Sequence, residues 1–207
     1  MRGGPGARRI HGRIPASKSR GASVAGAGGL ETERLSLEPL VEAHAARFFE
    51  DLQDPRLYQF MPGVEPPSLP ELELRFRDRP VGLHELHTTR LQWAAWARDE
   101  RRHVGLFEAT VGEGGRASLA YLIFVSAWRR GHALEACRRI LRHLFDDHEA
   151  SVVRVITAVE NVPARALAER LGFFRVASAP SLLPEEEPAD GYLAYLLERP
   201  ARGDLLE

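Results

Sequence analysis

The sequence predicts a single α/β domain of the α+β kind, a twisted, mixed but mostly antiparallel sheet of six to seven strands flanked by about four helices. Three observations carry that prediction. An apolar run over residues 119–125 leads through a short basic turn into a segment with apolar residues at Ala133, Ala136, Cys137, Ile140, Leu141, Leu144 and Phe145, the spacing of one helical stripe. Residues 152–159 then form a run rich in β-branched side chains, and a helix crossing between two strands makes them parallel. Upstream, residues 93–98, 104–111 and 118–125 are separated by turns at 99–102 and 112–115, the pattern of antiparallel hairpins.

In chain order, residues 1–29 are rich in Gly, Ala and Ser, carry Arg2, Arg8, Arg9, Arg13, Lys18 and Arg20, and contain no acid. They read as a disordered basic extension. Arg8-Arg9 is followed by no apolar stretch and so makes no export signal. The domain itself is expected over residues 30–200, with 201–207 as a tail. A length of 207 residues, 44% hydrophobic and 28% charged, suits one substantial core. No apolar run approaches the roughly 20 residues of a membrane helix. With the six cations of the extension set aside, the 28 basic side chains fall to 22 against 29 acidic ones, a domain charge of −7. That balance argues against nucleic acid on the core domain and favours a cationic acceptor. The single cysteine, Cys137, lies on the helical stripe and reads as a core residue; without a partner it forms no intrachain disulfide, which suits the cytoplasm.

Leu35 and Leu37 alternate with polar residues in a strand that Pro39 closes. A helix over residues 41–51 should bury Ala45, Phe48, Phe49 and Leu52, and a short second helix should follow within 54–62. Residues 63–91 are broken by Pro66, Pro67, Pro70 and Pro80, with a helical turn or two at 72–76. His84, His87 and His103 show no paired spacing with Cys or acid, so they read as solvated loop residues and no metal is expected. Beyond the strand at 152–159, Pro163 suits the first turn of a helix and Gly172 its C-terminal cap. Residues 173–177 and 192–198 complete the sheet as a hairpin across a long loop.

The chemistry centres on Trp128-Arg129-Arg130-Gly131-His132-Ala133-Leu134-Glu135-Ala136, where a strand turns into a helix. A helix N-terminus offers unpaired backbone N–H groups and a positive dipole end, and a glycine lets an anion approach closely, so a phosphate is the natural guest. This stretch and the downstream Asn161-Val162-Pro163-Ala164-Arg165-Ala166-Leu167-Ala168-Glu169-Arg170-Leu171-Gly172-Phe173 together resemble motifs A and B of the GNAT N-acetyltransferase superfamily. The first resembles its Q/R-x-x-G-x-G/A pyrophosphate loop, in the form W-G-K-G-Y-A-x-E-A of the branch that acetylates ribosomal-protein N-termini (RimJ/RimL-like). The second resembles that branch's N-x-x-S-x-x-L-x-x-x-L-G-F. Residues 30–40, with Thr32, Arg34, Leu35 and Leu37, resemble its L-x-T-x-R-L-x-L-R-x-L opening, so the likeness covers most of the chain after residue 29.

The resemblance implies the GNAT fold, acetyl-coenzyme A as cosubstrate and no metal. Backbone N–H groups across Arg129, Arg130, Gly131, His132, Ala133 and Leu134 would hold the pyrophosphate. The pantetheine arm would run along Leu122, Ile123 and Phe124 like an added strand, with Asn161 hydrogen-bonding it while also capping the following helix. Acyl transfer needs a neutral amine, an N–H donor for the oxyanion and a proton for the departing thiolate. A peptide α-amine has a pKa near 8 against about 10.4 for lysine, so it needs only modest help from a base. Glu108 and Glu160 are the candidate bases, and Tyr121 the candidate proton donor. Several positions depart from the family pattern: Arg129 stands where the branch often has Gly, His132 where it has Tyr, Ala164 where it has Ser, Ser118 where a carboxylate is frequent, and Ala168 where many superfamily members have a Tyr that protonates the thiolate. The implied function is acetyl transfer to a primary amine, first of all the N-terminal α-amine of a protein or peptide. A small-amine acetyltransferase, suited by Glu185, Glu186 and Glu187, and an acyl-coenzyme A-binding module without turnover remain the alternatives. Acetyl-coenzyme A and the amine are the partners implied, with no membrane, and a homodimer stays open.

Overall fold

The computed structural model describes residues 28–77, 84–85, 88–176 and 190–200, the pair 84–85 by its backbone alone. The basic extension up to residue 27, His87, the acidic run Glu185 to Glu187 and the 201–207 tail lie outside the described residues. The chain runs β1 (Leu30–Glu31), β2 (Leu35–Pro39), α1 (His44–Leu52), a 3-10 turn (Pro55–Tyr58), α2 (Leu69–Arg77), β3 (His84–Glu85), β4 (Thr88–Ala97) and β5 (Arg102–Val111). It continues through β6 (Arg116–Ile123), α3 (His132–Asp146), β7 (Val152–Ala158), α4 (Val162–Arg170), β8 (Phe174–Val176) and β9 (Tyr192–Glu198). Among the described residues one sheet has the order β1-β2-β4-β5-β6-β7-β9-β8, with β3 added to β4. Among the described residues only β6 and β7 pair in parallel; the other pairs are antiparallel. All seven strands expected from the sequence are present, and the two-residue β1 and β3 add to them.

Period-two alternation sends side chains to opposite faces of this sheet, and each face buries its own core. On one face Leu35, Leu37, Trp93, Phe107 and Leu119 meet Ala136, Cys137, Ile140, Leu141, Leu144 and Phe145 of α3, together with Ala168 and Leu171 at the end of α4. Six of the seven stripe residues expected in α3 are fully buried, and Ala133 is half-buried. Burial also pushes the Cys137 thiol far above its usual range, as suits an inert core residue. On the other face Ala45, Phe48 and Leu52 of α1 and Leu72 and Phe76 of α2 pack on Ala94 and Phe124.

Phe49 is half-buried and β4 begins at Thr88 instead of residue 93; three further details differ from the sequence expectation, each for a local reason. Helix α1 begins at His44 instead of residue 41, because residues 41–44 close a turn in which the His44 amide donates to the Val41 carbonyl at 2.9 Å. Helix α2 is longer than the one or two turns expected. Pro70 falls in its first turn, where a missing N–H costs nothing, and the Glu71 carboxylate accepts from both the amide and the hydroxyl of Ser68, at 2.8 and 2.7 Å. His103 is not a solvated loop residue but the second residue of β5, only 8% exposed.

Strands β5 and β6 approach very closely at Gly105, which is paired with Ile123. A Cβ there would stand 2.4 Å from the Leu122 carbonyl oxygen and 3.0 Å from the Ile123 Cα, both backbone atoms that cannot swing aside. Gly105→Ala should therefore cost about 2–3 kcal/mol of folding stability. Urea unfolding of both proteins checks this, and an unchanged midpoint would contradict it.

Candidate active site

The parallel pairing of β6 with β7 covers Arg116 with Val152, Ala117 with Val153 and Ser118 with Arg154, and goes no further. Beyond Ser118, β6 keeps its partners on β5 through Ile123, and β7 keeps its partners on β9 through Ala158. The two strands therefore diverge into a cleft. Peptide groups alternate in direction along an antiparallel strand, and the Phe124 amide donates to the Val104 carbonyl at 2.9 Å. By that alternation the backbone groups of Tyr121 and Ile123 face the cleft, while those of Leu122 and Phe124 face β5. The Phe124 side chain is fully buried in the α1/α2 core, with Leu122 packed against it. The edge available for an added strand thus belongs to Tyr121 and Ile123, although the carbonyl of Ile123 accepts from the Trp128 indole N–H at 2.8 Å.

At the mouth of this cleft lies the N-terminus of α3. The amide of Glu135 makes the helix's first backbone bond, to the Gly131 carbonyl at 3.1 Å. The amides of His132, Ala133 and Leu134 precede it and have no helical acceptor. Arg129 and Gly131 both take left-handed backbone conformations, with φ of 62° and 83°. Gly131 adopts that conformation without strain, and a Cβ there would also come within 3.3 Å of the Arg34 guanidinium. The side chains of Arg129 and Arg130 are exposed beside these amides. The turn can therefore receive a phosphate through backbone N–H groups and dipole together.

Residues distant in sequence brace the turn. Arg34 donates from Nη1 to the Arg130 carbonyl at 3.1 Å and from Nε to the Glu135 carboxylate at 2.7 Å. Glu135 also accepts from the Arg34 amide at 2.8 Å and the Thr32 hydroxyl at 2.6 Å. Burial raises the pKa of Glu135, but these hydrogen bonds and the Arg34 charge outweigh it and hold the carboxyl below its ordinary value. Glu100, in the β4–β5 turn, meets Arg130 Nη1 at 2.8 Å and His132 Nε2 at 3.3 Å. Burial keeps the pKa of the His132 ring below its usual value despite Glu100. The ring is 2% exposed, so His132 packs under the turn and leaves only its backbone for a ligand. None of these bracing roles was assigned from sequence, although Thr32, Arg34 and Glu135 all stand inside the stretches that resemble the family.

The catalytic candidates fall on two faces of the sheet. Glu108 is paired with Ala120 and points away from the α3 core, where it accepts from Gln92 Nε2 at 2.6 Å and lies 3.4 Å from Arg90 Nε. Tyr121, paired with Phe107, points to the α3 side, its ring centroid 6.2 Å from that of Phe107. Burial, with Cys137 beside it, pushes the Tyr121 phenol well above its ordinary value. Glu160 is exposed just past the end of β7, next to Asn161. The Asn161 side-chain oxygen accepts from the Ala164 amide at 3.2 Å, so the capping role is met and its NH₂ group is left to donate. Ala168 is 3% exposed within the core under α4.

A cleft between parting parallel strands, with an open helix N-terminus at its mouth, suits an acyl-coenzyme A-dependent transferase. A family model described as acetyltransferase (GNAT) domain matches residues 34–174. The chain belongs to the GNAT acetyltransferase family, and so is an acyltransferase using acetyl-coenzyme A. Solved structures share the fold. An acetyltransferase (GNAT family) from Bacillus anthracis superposes with a TM-score of 0.66 at 14% identity, covering 83% of this chain and 98% of that one. An acetyltransferase from Agrobacterium tumefaciens gives 0.65 at 21% identity over 89% and 100% of the two chains. RimL, a ribosomal-protein alpha-N acetyltransferase in complex with coenzyme A, gives 0.67 at 13% over 83% and 98%. No curated protein matches the sequence.

The brace makes stability depend on pH. A carboxyl whose folded pKa is depressed stabilises the fold above its unfolded value, about 4.3 for glutamate, and that contribution fades as pH falls through the lower folded value. The stability advantage of the natural protein over Glu135→Gln should shrink on acidification below about pH 4.3. Denaturant titrations at a series of pH values measure it, and a constant advantage down to pH 3 would contradict the role given to Glu135.

Proposed function

We propose that the protein transfers the acetyl group of acetyl-coenzyme A to the N-terminal α-amine of a protein or peptide. The parting of β6 and β7 beside the α3 N-terminus is the observation that carries this reading. The pyrophosphate is seated on the amides of the 129–134 turn, the pantetheine arm pairs with the cleft-facing edge at Tyr121 and Ile123, and the thioester is left within the cleft. The Asn161 NH₂ group donates to a pantetheine carbonyl while its oxygen caps α4.

The amine then enters from the face that carries Glu108. At pH 7 an α-amine of pKa near 8 is about one-tenth neutral, against roughly one part in 2,500 for a lysine amine of pKa 10.4. One weak base in the acceptor path is therefore enough for an α-amine and scarcely enough for lysine. Glu108, held by Gln92, takes the ammonium proton directly or through water; Glu160 is the second candidate. Attack at the thioester carbonyl forms a tetrahedral oxyanion, which a cleft-facing backbone N–H of β6 stabilises. Collapse of that intermediate breaks the C–S bond and releases the coenzyme A thiolate, which takes up the proton that the attacking nitrogen sheds as the amide forms. Tyr121, whose raised pKa keeps it protonated, serves as a hydrogen-bond donor to the thiolate in place of the absent tyrosine at Ala168. A net negative domain suits a cationic N-terminus, and the ribosomal-protein acetyltransferase among the structural neighbours has the same acceptor class in its description.

A peptide panel with free N-termini, assayed for thiol release and acetylated product, tests the reading. Transfer to the α-amine, with little to internal lysines or to N-terminally blocked peptides, is expected. Glu108→Gln should lower kcat by about 100-fold at neutral pH. Undiminished turnover would remove Glu108 from the mechanism, and transfer only to small polyamines would overturn the peptide acceptor.

A further inference from the structure

Away from the cleft, three side chains that are remote in sequence converge on the α1/α2 face. They are Glu38 on β2, His44 at the start of α1 and His103 at the start of β5. Both imidazoles are more than nine-tenths buried, while the Glu38 carboxylate is 43% exposed and opens the group to solvent. One carboxylate oxygen of Glu38 lies 3.6 Å from His44 Nε2 and 3.9 Å from His103 Nε2, and the three atoms lie within 4.8 Å of one another. Nε2 of His103 is buried and has no hydrogen-bond partner among the described residues.

We propose that Glu38, His44 and His103 form a binding site for a divalent transition-metal ion, zinc first among them. Two imidazole nitrogens and one carboxylate oxygen are a donor set that zinc takes in tetrahedral geometry, with a fourth position left for water. Ligand atoms about 2.0–2.1 Å from a tetrahedral zinc stand roughly 3.3 Å from each other, so the observed separations need only small side-chain rotations to close. In the tautomer protonated at Nδ1, the unpartnered Nε2 of His103 presents its lone pair to the metal. His44 Nδ1 accepts from the Val41 amide at 3.0 Å and also lies 3.2 Å from the Val41 carbonyl, so metal binding through Nε2 takes the tautomer in which Nδ1 donates to that carbonyl instead. The charge of nearby Arg47 opposes a cation at the site, and that of Glu38 offsets it.

Bound metal would tie α1 to β2 and β5. Phe48 links the site to the cleft, its ring centroid 5.0 Å from that of His103 and 5.2 Å from that of Phe124, the residue that follows β6. The metal would thus stiffen the acceptor-side wall, whatever acceptor the cleft takes. The three ligands lie on separate elements with no short spacing between them, which is why the histidines show no metal signature in sequence.

The test uses the full, tag-free chain, freed of metal with a chelator and titrated with Zn²⁺ against a chromophoric competitor. One Zn²⁺ per chain is expected, with a rise in Tm on binding. Glu38→Gln, a change at a partly exposed position, should weaken binding by roughly tenfold or more and shrink the Tm rise, and His103→Gln should weaken it further. A folded natural protein with no saturable site, or a Glu38→Gln variant that binds Zn²⁺ as tightly, would overturn the proposal.

Discussion

The parallel ladder between β6 and β7 is the constraint on which the rest of the molecule depends. Three registered pairs join the strands at Arg116, Ala117 and Ser118, after which each keeps only its outer partner. Backbone N–H and C=O groups seldom stay unpaired away from water, so a sheet that opens in its middle calls for something to fill the opening. An extended, amide-bearing chain such as a pantetheine arm answers that need, just as an added strand would. The opening is sustained because β6 is tied tightly to β5 at Gly105 and β7 is tied to β9 along its whole length.

The turn at the mouth of the cleft is held from the far edge of the sheet. Arg34 and Thr32 lie in and beside the loop between β1 and β2, yet they fix Glu135 and the Arg130 carbonyl, while Glu100 from the β4–β5 turn holds Arg130 and His132. Two loops at the Ala97 end of β4 and the first turn of α3 are thereby locked into one unit. Such bracing matters for an anion site because backbone donors gain most when they need not reorganise on binding. The buried His132 shows the division of labour: its ring supports the turn, and its amide is left for the ligand.

Much of this was legible in the sequence because the signals were local. The stripe from Ala136 to Phe145, the β-branched run at 152–159 and the glycine turn each announce their element through spacing within a dozen residues. The parallel direction of the two strands beside the cleft followed from the crossing helix. What stayed hidden was long-range. The Arg34–Glu135 contact spans about a hundred residues, and the pleat that sends Glu108 and Tyr121 to opposite faces depends on the register between β5 and β6. His103 read as a loop residue because its burial comes from α1 and Trp96, neither adjacent in sequence. The proline-rich stretch concealed α2, since Pro70 breaks a helix interior but not a first turn.

The β6–β7 cleft and the α3 N-terminus together form the proposed acetyl-coenzyme A site. The direct measurement is a calorimetric titration of the purified chain with acetyl-coenzyme A, repeated with Gly131→Glu, where a side chain and a negative charge would occupy a left-handed position against Arg34. Saturable one-to-one binding that disappears in a folded Gly131→Glu protein is the predicted result. Binding that survives the substitution, or a folded natural protein that does not bind, would contradict the account.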